Sequence, residues 1–188
     1  PGHTMMVSCV EFCSDDGKFL STSYDKSVKV WDTATGMCSA TLCQSSAAAV
    51  SRIIRALKRD NIHHTGHSDV VNDGSFNSLG TMIVSASDDC TVKVWDLKDN
   101  KCVGTLTGHG TGVSCAKFNI TGNVIASSDK SGMIRIWNYS VGTCLCIMDT
   151  WTNTVCSLSF CPDGIRLASG YIGYRPVVWN VNDNVSDC

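Results

Sequence analysis

Serine, histidine and aspartate recur together along this chain, with His67, Ser85 and Asp89 as one set and His3, Ser21 and Asp25 as another. These are the groups of a nucleophilic triad, in which an imidazole takes the hydroxyl proton and a carboxylate orients the imidazole. Two features weigh against a hydrolase. The trio recurs with a tryptophan, and Ser85 lies inside a strand-forming run, residues 84–96 ("VSASDDCTVKVWD"), and not on the sharp elbow of a G-x-S-x-G motif, which the sequence lacks. The stretch "DGKFL" at residues 16–20 is no phosphate loop, because it has neither the upstream glycine nor a Ser/Thr after the lysine.

Thiols and further imidazoles offer a second chemistry. The chain has twelve cysteines, a number that in a short secreted chain would suggest a disulfide framework. Cys38, Cys102 and Cys144, however, each follow a tryptophan by seven residues, and Cys9 and Cys115 share another recurring position. Equivalent sites in successive units lie too far apart to bridge, so the expectation is small buried thiols in a reducing compartment. Cys144-x-Cys146 has no second pair and is a weak zinc pattern. His63, His64 and His67 in "HHTGH" are a candidate metal cluster. Asn119, Asn138 and Asn184 head N-x-S/T sequons, which matter only in a secreted protein.

Composition narrows the partners. With 43% hydrophobic and 17% charged residues the chain can bury a real core, and fifteen basic against seventeen acidic residues give a net charge of -2, too weak a field to favour nucleic acid or an anionic membrane. No apolar run approaches the ~18 residues of a membrane span, and no leader opens the chain. An intracellular protein, cytoplasmic or nuclear, is expected. The start at Pro1 suggests a segment of something longer.

The elements that position these groups repeat. Trp31, Trp95, Trp137 and Trp179 are separated by 64, 42 and 42 residues, and Gly-His pairs at 2–3, 66–67 and 108–109 keep the same spacing. Val7, Val71, Val113 and Val155 each precede a phenylalanine by five residues (Phe12, Phe76, Phe118, Phe160). Each unit reads as four short strands: an alternating run, a turn such as "SDDGK" or "CPDG", a second run leading through "YDKS" into "VKVW", and a final run such as "KCVGTL". A unit of about 42 residues with four strands is the period of a propeller blade.

Glycine-histidine near the start of each unit and tryptophan-aspartate near its end resemble the WD-repeat family of β-propellers, and the resemblance covers residues 2 to about 182 apart from one insertion. It implies an all-β propeller with four recognisable blades in an incomplete or open ring: residues 1–43, 66–107, 108–149 and a degenerate, incomplete unit at 150–188. It also implies, in each full repeat, a buried hydrogen-bond chain of tryptophan, hydroxyl, histidine and aspartate. By position these are His3, Ser21, Asp25 and Trp31, then His67, Ser85, Asp89 and Trp95. In such a chain the indole N–H donates to the hydroxyl, the hydroxyl to one imidazole nitrogen, and the other imidazole N–H to the carboxylate, so every buried polar atom has a partner. The third unit keeps His109, Ser127 and Trp137 but has Ser131 at the acid position. The fourth keeps Ser169 and Trp179 but has Trp151 and Gly173 in place of histidine and aspartate. Blades three and four are accordingly expected to be looser.

The 22 extra residues at 44–65 change composition, with Val50, Ile53, Ile54 and Leu57 at helical spacing and Arg52, Arg55, Lys58 and Arg59 among them. They read as an inserted basic amphipathic helix or loop, either packed on its own blade or docking an acidic partner.

For function, the resemblance implies a protein-protein interaction scaffold with partner contacts on the loop face. Its contact positions fall on Tyr24, Asp88, Lys130 and Ile172, just before the network aspartate, and on Ser8, Asn72, Ser114 and Cys156, just after the valine of the first strand. Expected partners are proteins or peptides, together with further blades of a parent protein; no cofactor, nucleic acid or membrane is implied. A hydrolase built on the Ser-His-Asp arrangement and a metal or redox module built on the cysteines are the alternatives.

Overall fold

The computed structural model describes residues 2–43, 66–150 and 153–181. Their strands form four antiparallel sheets. The first contains β1 (Val7–Phe12), β2 (Lys18–Ser23), β3 (Val28–Asp32) and β4 (Cys38–Leu42). The second contains β5 (Val71–Phe76), β6 (Met82–Ser87), β7 (Thr91–Asp96) and β8 (Lys101–Thr107). The third contains β9 (Val113–Phe118), β10 (Val124–Asp129), β11 (Met133–Asn138) and β12 (Thr143–Asp149). The fourth, among the described residues, contains β13 (Val155–Phe160), β14 (Arg166–Tyr171) and β15 (Tyr174–Asn180). Each sheet is a simple meander, neighbours in sequence pairing with neighbours in space. The four sheets are the blades of a β-propeller. The inserted segment 44–65, expected as a basic amphipathic helix or loop, and Trp151 lie outside the described residues. No helix among the described residues is long and apolar enough to cross a membrane.

Alternation explains the strands, and face-to-face packing explains their order. In each blade one face carries residues such as Leu20, Val28 and Val30, and the opposite face of the next blade carries Val71, Phe76, Ile83 and Trp95; together they make one buried cluster. Val84, Ala86, Val92 and Val94 meet Val113, Phe118, Ile125 and Trp137 in the same way, and Ala126, Ile134 and Ile136 meet Val155, Leu158 and Leu167. Each core therefore belongs to a pair of blades, and each fully buried large side chain contributes about 1.5–3 kcal/mol to holding that pair together.

Two bulges recur in register. The first strand of every blade skips one residue against the second, at Ser8, Asn72, Ser114 and Cys156. A bulged residue is left out of the ladder and its side chain is re-aimed. A second irregularity lies just before the tryptophan of blades one to three.

Among the described residues, the outer faces of the first and fourth blades are exposed. Val71, Val113 and Val155 are fully buried, whereas Val7 is 45% exposed; Phe76 and Phe118 are 7% and 8% exposed, whereas Phe12 is 63% exposed. On the opposite face, Val30 and Val94 are buried but Val178 of the fourth blade is 66% exposed.

Candidate functional site

The polar quartets close in three blades. In the first, Trp31 Nε1 donates to Ser21 Oγ (2.8 Å), which donates to His3 Nε2 (2.6 Å), while His3 Nδ1 donates to Asp25 Oδ2 (2.8 Å). The second repeats it through Trp95, Ser85, His67 and Asp89 at 2.8, 2.7 and 2.8 Å. Each quartet joins strands two and three of its blade to the loop before strand one. The serine-histidine-aspartate connectivity matches that of a catalytic triad, but Ser85 and His67 are sealed from solvent. The indole N–H, moreover, occupies the serine oxygen that a nucleophile would need free.

In the third blade the structure corrects the sequence reading. Ser131 was expected to leave the acid position empty, yet His109 Nδ1 donates to Asp129 Oδ2 at 2.7 Å, completing the chain Trp137 to Ser127 (2.7 Å) to His109 (2.7 Å). The acid has moved two residues back, to the end of β10, where the first two blades have Ser23 and Ser87. Its other oxygen accepts from Ser131 N (2.9 Å) and Ser131 Oγ (2.6 Å), as Asp25 accepts from Ser27 and Asp89 from Thr91. The signal was present as a short motif: Asp25-Lys26-Ser27, Asp89-Cys90-Thr91 and Asp129-Lys130-Ser131 share the spacing Asp-x-Ser/Thr. A carboxylate that accepts from its own turn two residues on is an Asx turn, and the turn travels with the acid.

The fourth blade keeps Trp179 Nε1 donating to Ser169 Oγ (2.8 Å), and Ser169 Oγ then donates to the Tyr171 hydroxyl (2.7 Å). Buried Tyr171 thus supplies the acceptor for the serine proton.

Burial holds the His67 and His109 imidazoles below their ordinary range, outweighing the upward pull of Asp89 and Asp129, so both rings are neutral near pH 7. Burial alone would raise the Asp25 carboxyl, but hydrogen bonds from Ser27, Thr4 and His3 together draw it down to about 2. Asp89 and Asp129 lie below the usual carboxylate range for the same reasons.

The eight candidate contact residues divide by environment. Ser8 Oγ donates to Val71 O (2.5 Å), Asn72 Nδ2 to Val113 O (2.8 Å) and Ser114 Oγ to Val155 O (2.5 Å). Each is the bulged residue of its blade, and each reaches the main chain of the next blade at the equivalent valine. These three side chains tie blades together. Cys156, their counterpart in blade four, is exposed and donates within its own blade to Gly170 O at 3.3 Å. Asp88 and Lys130 meet across the boundary of blades two and three at 2.6 Å, and Asn72 also donates to Asp88 Oδ1 (2.7 Å). Gly112 allows this: a Cβ there would lie 2.5 Å from Asp88 Oδ1. Tyr24 and Ile172 occupy the same loop position in blades one and four and are exposed. Tyr24 N donates to Met6 O (2.9 Å), which ties the Tyr24 loop to the segment carrying exposed Met5 and Met6, which sequence reasoning did not single out.

A second unread cluster spans three blades. Lys117 Nζ donates to Glu11 Oε2 (2.9 Å) and Asp73 Oδ1 (3.3 Å), and Asp73 Oδ2 accepts from Cys115 Sγ (2.8 Å). Of these groups Lys117 and Glu11 line a cleft of about 410 Å³, which is also bordered by Ser75, Phe118 and Phe160. Burial, reinforced by the Asp73 charge, pushes the Cys9 thiol up to about 11 and Cys115 well above its ordinary value. Protonated, desolvated thiols are poor nucleophiles and poor metal ligands. No group of three His, Cys, Asp or Glu side chains placed to hold a metal occurs among the described residues. His63 and His64 lie outside them.

The family model described as WD domain, G-beta repeat matches residues 1–32, 60–96, 100–138 and 142–180. The chain belongs to the WD-repeat family. Among curated WD-repeat relatives and other matches, it is 29% identical over 125 residues to the DENN domain and WD repeat-containing protein SCD1 of Arabidopsis thaliana, covering 56% of this chain and 10% of that one. It is 28% identical over 122 residues to pre-mRNA-processing factor 17 of Saccharomyces cerevisiae, covering 53% of this chain and 27% of the relative. Over 40 residues, 21% of this chain and 6% of the other, it is 52% identical to a probable E3 ubiquitin ligase complex SCF subunit, sconB, of Talaromyces stipitatus. The WD-repeat chain thus spans about a quarter or less of the length of these three relatives.

Proposed function

We propose that this chain is a scaffold that binds partner proteins or peptides on the loop edge carrying Tyr24, Asp88, Lys130 and Ile172. The observation that carries this reading is the contrast between buried and displayed polar groups. The quartets are satisfied and sealed, so they contribute architecture; the Asp88-Lys130 pair, with Tyr24 and Ile172 at the equivalent loop positions, is polar chemistry displayed at the surface. The exposed Tyr24 ring and the exposed Met5 and Met6 offer adaptable apolar anchors, and the ion pair offers both signs of charge to a polar partner.

Relatives named as a pre-mRNA-processing factor and as a probable subunit of an E3 ubiquitin ligase complex fit a role in multi-protein assemblies. They favour a nuclear or cytoplasmic setting, and the net charge of -2 favours protein over nucleic acid as the ligand. Affinity capture with the intact chain, repeated with Tyr24→Ala and with Lys130→Glu, tests the proposal. Partners retained by the parent chain are expected to fall at least tenfold with either variant, while far-UV circular dichroism stays the same. A partner set unchanged by both substitutions would place the binding surface elsewhere.

A further inference from the structure

The first strands of neighbouring blades, β1 with β5, β5 with β9 and β9 with β13, pack against one another, and the cleft of about 410 Å³ opens where they end. Its walls come from β5, β9 and β13 and the turns that follow them, with Glu11 of β1 reaching in from the first blade. The exposed lateral residues Val7, Phe12 and Val178 take no part in it. The cleft also lies away from the Tyr24 loop. Val7 pairs with Ser23, just before that loop, whereas Phe12 pairs with Phe19 at the other end of the ladder, and the cleft sits at the phenylalanine end of each first strand.

Of the residues that line the cleft, Lys117 and Glu11 are charged, and only one of them is open to a new partner. The three ammonium protons of Lys117 point at Glu11 Oε2 (2.9 Å), Asp73 Oδ1 (3.3 Å) and Gly74 O (3.5 Å), so none is left for an incoming anion. Glu11 differs. Its Oε1 accepts from Phe76 N (3.1 Å) and its Oε2 from Lys117, which leaves each oxygen a second lone pair, and the side chain is 31% exposed. Two carboxylates against one ammonium give the cluster a net negative charge. Beside it, Phe118, Leu158 and Phe160 form an apolar wall that ends at exposed Ile120.

We propose that this cleft is a second binding site, which receives an arginine side chain of a partner protein. Its aliphatic stem lies along Phe118 and Phe160, and its guanidinium donates to the free lone pairs of Glu11. The charge selects a cation, and the apolar wall selects one carried on a long hydrocarbon stem. A planar guanidinium fits better than an ammonium, because its fork matches the two carboxylate oxygens and its flat face packs on an aromatic ring. Lys117 positions the acceptor: it holds the Glu11 carboxylate at the cleft without neutralising the cluster, since Asp73 takes part of the same charge.

Amide NMR of the isotopically labelled 188-residue chain, titrated with N-acetyl-arginine methylamide, reads the outcome. Saturable shifts are expected at Ser75, Phe118 and Ser159, which line the cleft, and not at Tyr24 or Lys130. The matching norleucine derivative, with a hydrocarbon chain and no charge, and the glutamate derivative should each bind about tenfold more weakly or not at all, the loss of a charge-assisted hydrogen bond. That comparison needs no variant. Glu11→Gln keeps an oxygen for Phe76 N and for Lys117 but removes the charge, so it should weaken arginine binding by about tenfold with unaltered far-UV circular dichroism. Val103→Asp, at an exposed position on the outer strand β8, should leave it unchanged. Absence of shifts at the cleft, equal binding of the norleucine or glutamate derivative, or a Glu11→Gln chain that binds as the parent does would overturn the proposal. Because Tyr24 and Lys130 lie at the other edge, this result is separable from loss of partner capture there.

Discussion

Replacing Asp129 by alanine isolates the group that completes the third quartet. The carboxylate is buried and accepts four hydrogen bonds: from His109 Nδ1, from the amide and hydroxyl of Ser131, and from Met133 N (3.1 Å). Of the donors left behind, the Ser131 groups are near solvent and recover water. The His109 Nδ1–H is sealed, and the Met133 amide is partly so. A buried donor without a partner costs about 1–3 kcal/mol, so Asp129→Ala is expected to destabilise by about 2–4 kcal/mol. Ser131→Ala removes one hydroxyl donor from an exposed residue and keeps its backbone bond to Asp129, so it is expected to cost no more than about 1 kcal/mol. With a urea dependence of about 2 kcal/mol per molar, the two variants should separate by roughly 1 M in midpoint. Equilibrium urea unfolding followed by circular dichroism measures this, and amide exchange at Met133 reports the local loss. Equal midpoints, or a larger effect from Ser131→Ala, would refute the assignment of Asp129 as the acid of this blade.

Acid should unfold the chain in two stages. His67 and His109 are held neutral in the folded state, so below about pH 6.5 the unfolded chain takes up protons first and stability falls as pH drops. Asp25, at about 2 when folded against an ordinary 3.8, contributes stability that is full above about pH 4 and is lost as pH falls through its folded value. A stability profile flat from pH 7 to 4.5 would contradict neutral buried imidazoles. Lys117→Met leaves Asp73 facing its thiol and amide donors without a cation and should cost about 2 kcal/mol, read as a lower melting temperature that added salt does not restore. Asn72→Ala removes donors to both Val113 O and Asp88 and should cost about 1–2 kcal/mol in urea unfolding, with a value near zero disproving its bridging role.

Periodicity made the blades readable. Four tryptophans, three Gly-His pairs and the Val-to-Phe interval all obey one spacing, and the strands and the first two quartets follow from it. Periodicity also misled where a residue left its register. Asp129 was overlooked because the acid position was counted from the histidine, while the turn chemistry that holds the acid depends on the serine two residues on. Tyr171 was overlooked because a phenol replaces an imidazole through a different position of the same blade. The inter-blade ties of Ser8, Asn72 and Ser114 could not be read because a bulge, not strand alternation, aims them between blades, and register shifts leave no mark in hydrophobic patterning. The Lys117-Glu11 pair joins residues 106 apart in sequence and depends on how three blades curve around one axis, which no local pattern encodes.

The ties from Ser8, Asn72 and Ser114 all end on a main-chain carbonyl. A carbonyl is offered by every amino acid, so the receiving unit needs no matched side chain to accept its neighbour. Duplication, deletion or reordering of units would preserve these joints without any second mutation, and the sequence of each module is free to drift apart from the next. Serine at two of the joints and asparagine at the third already display that freedom within a single polypeptide.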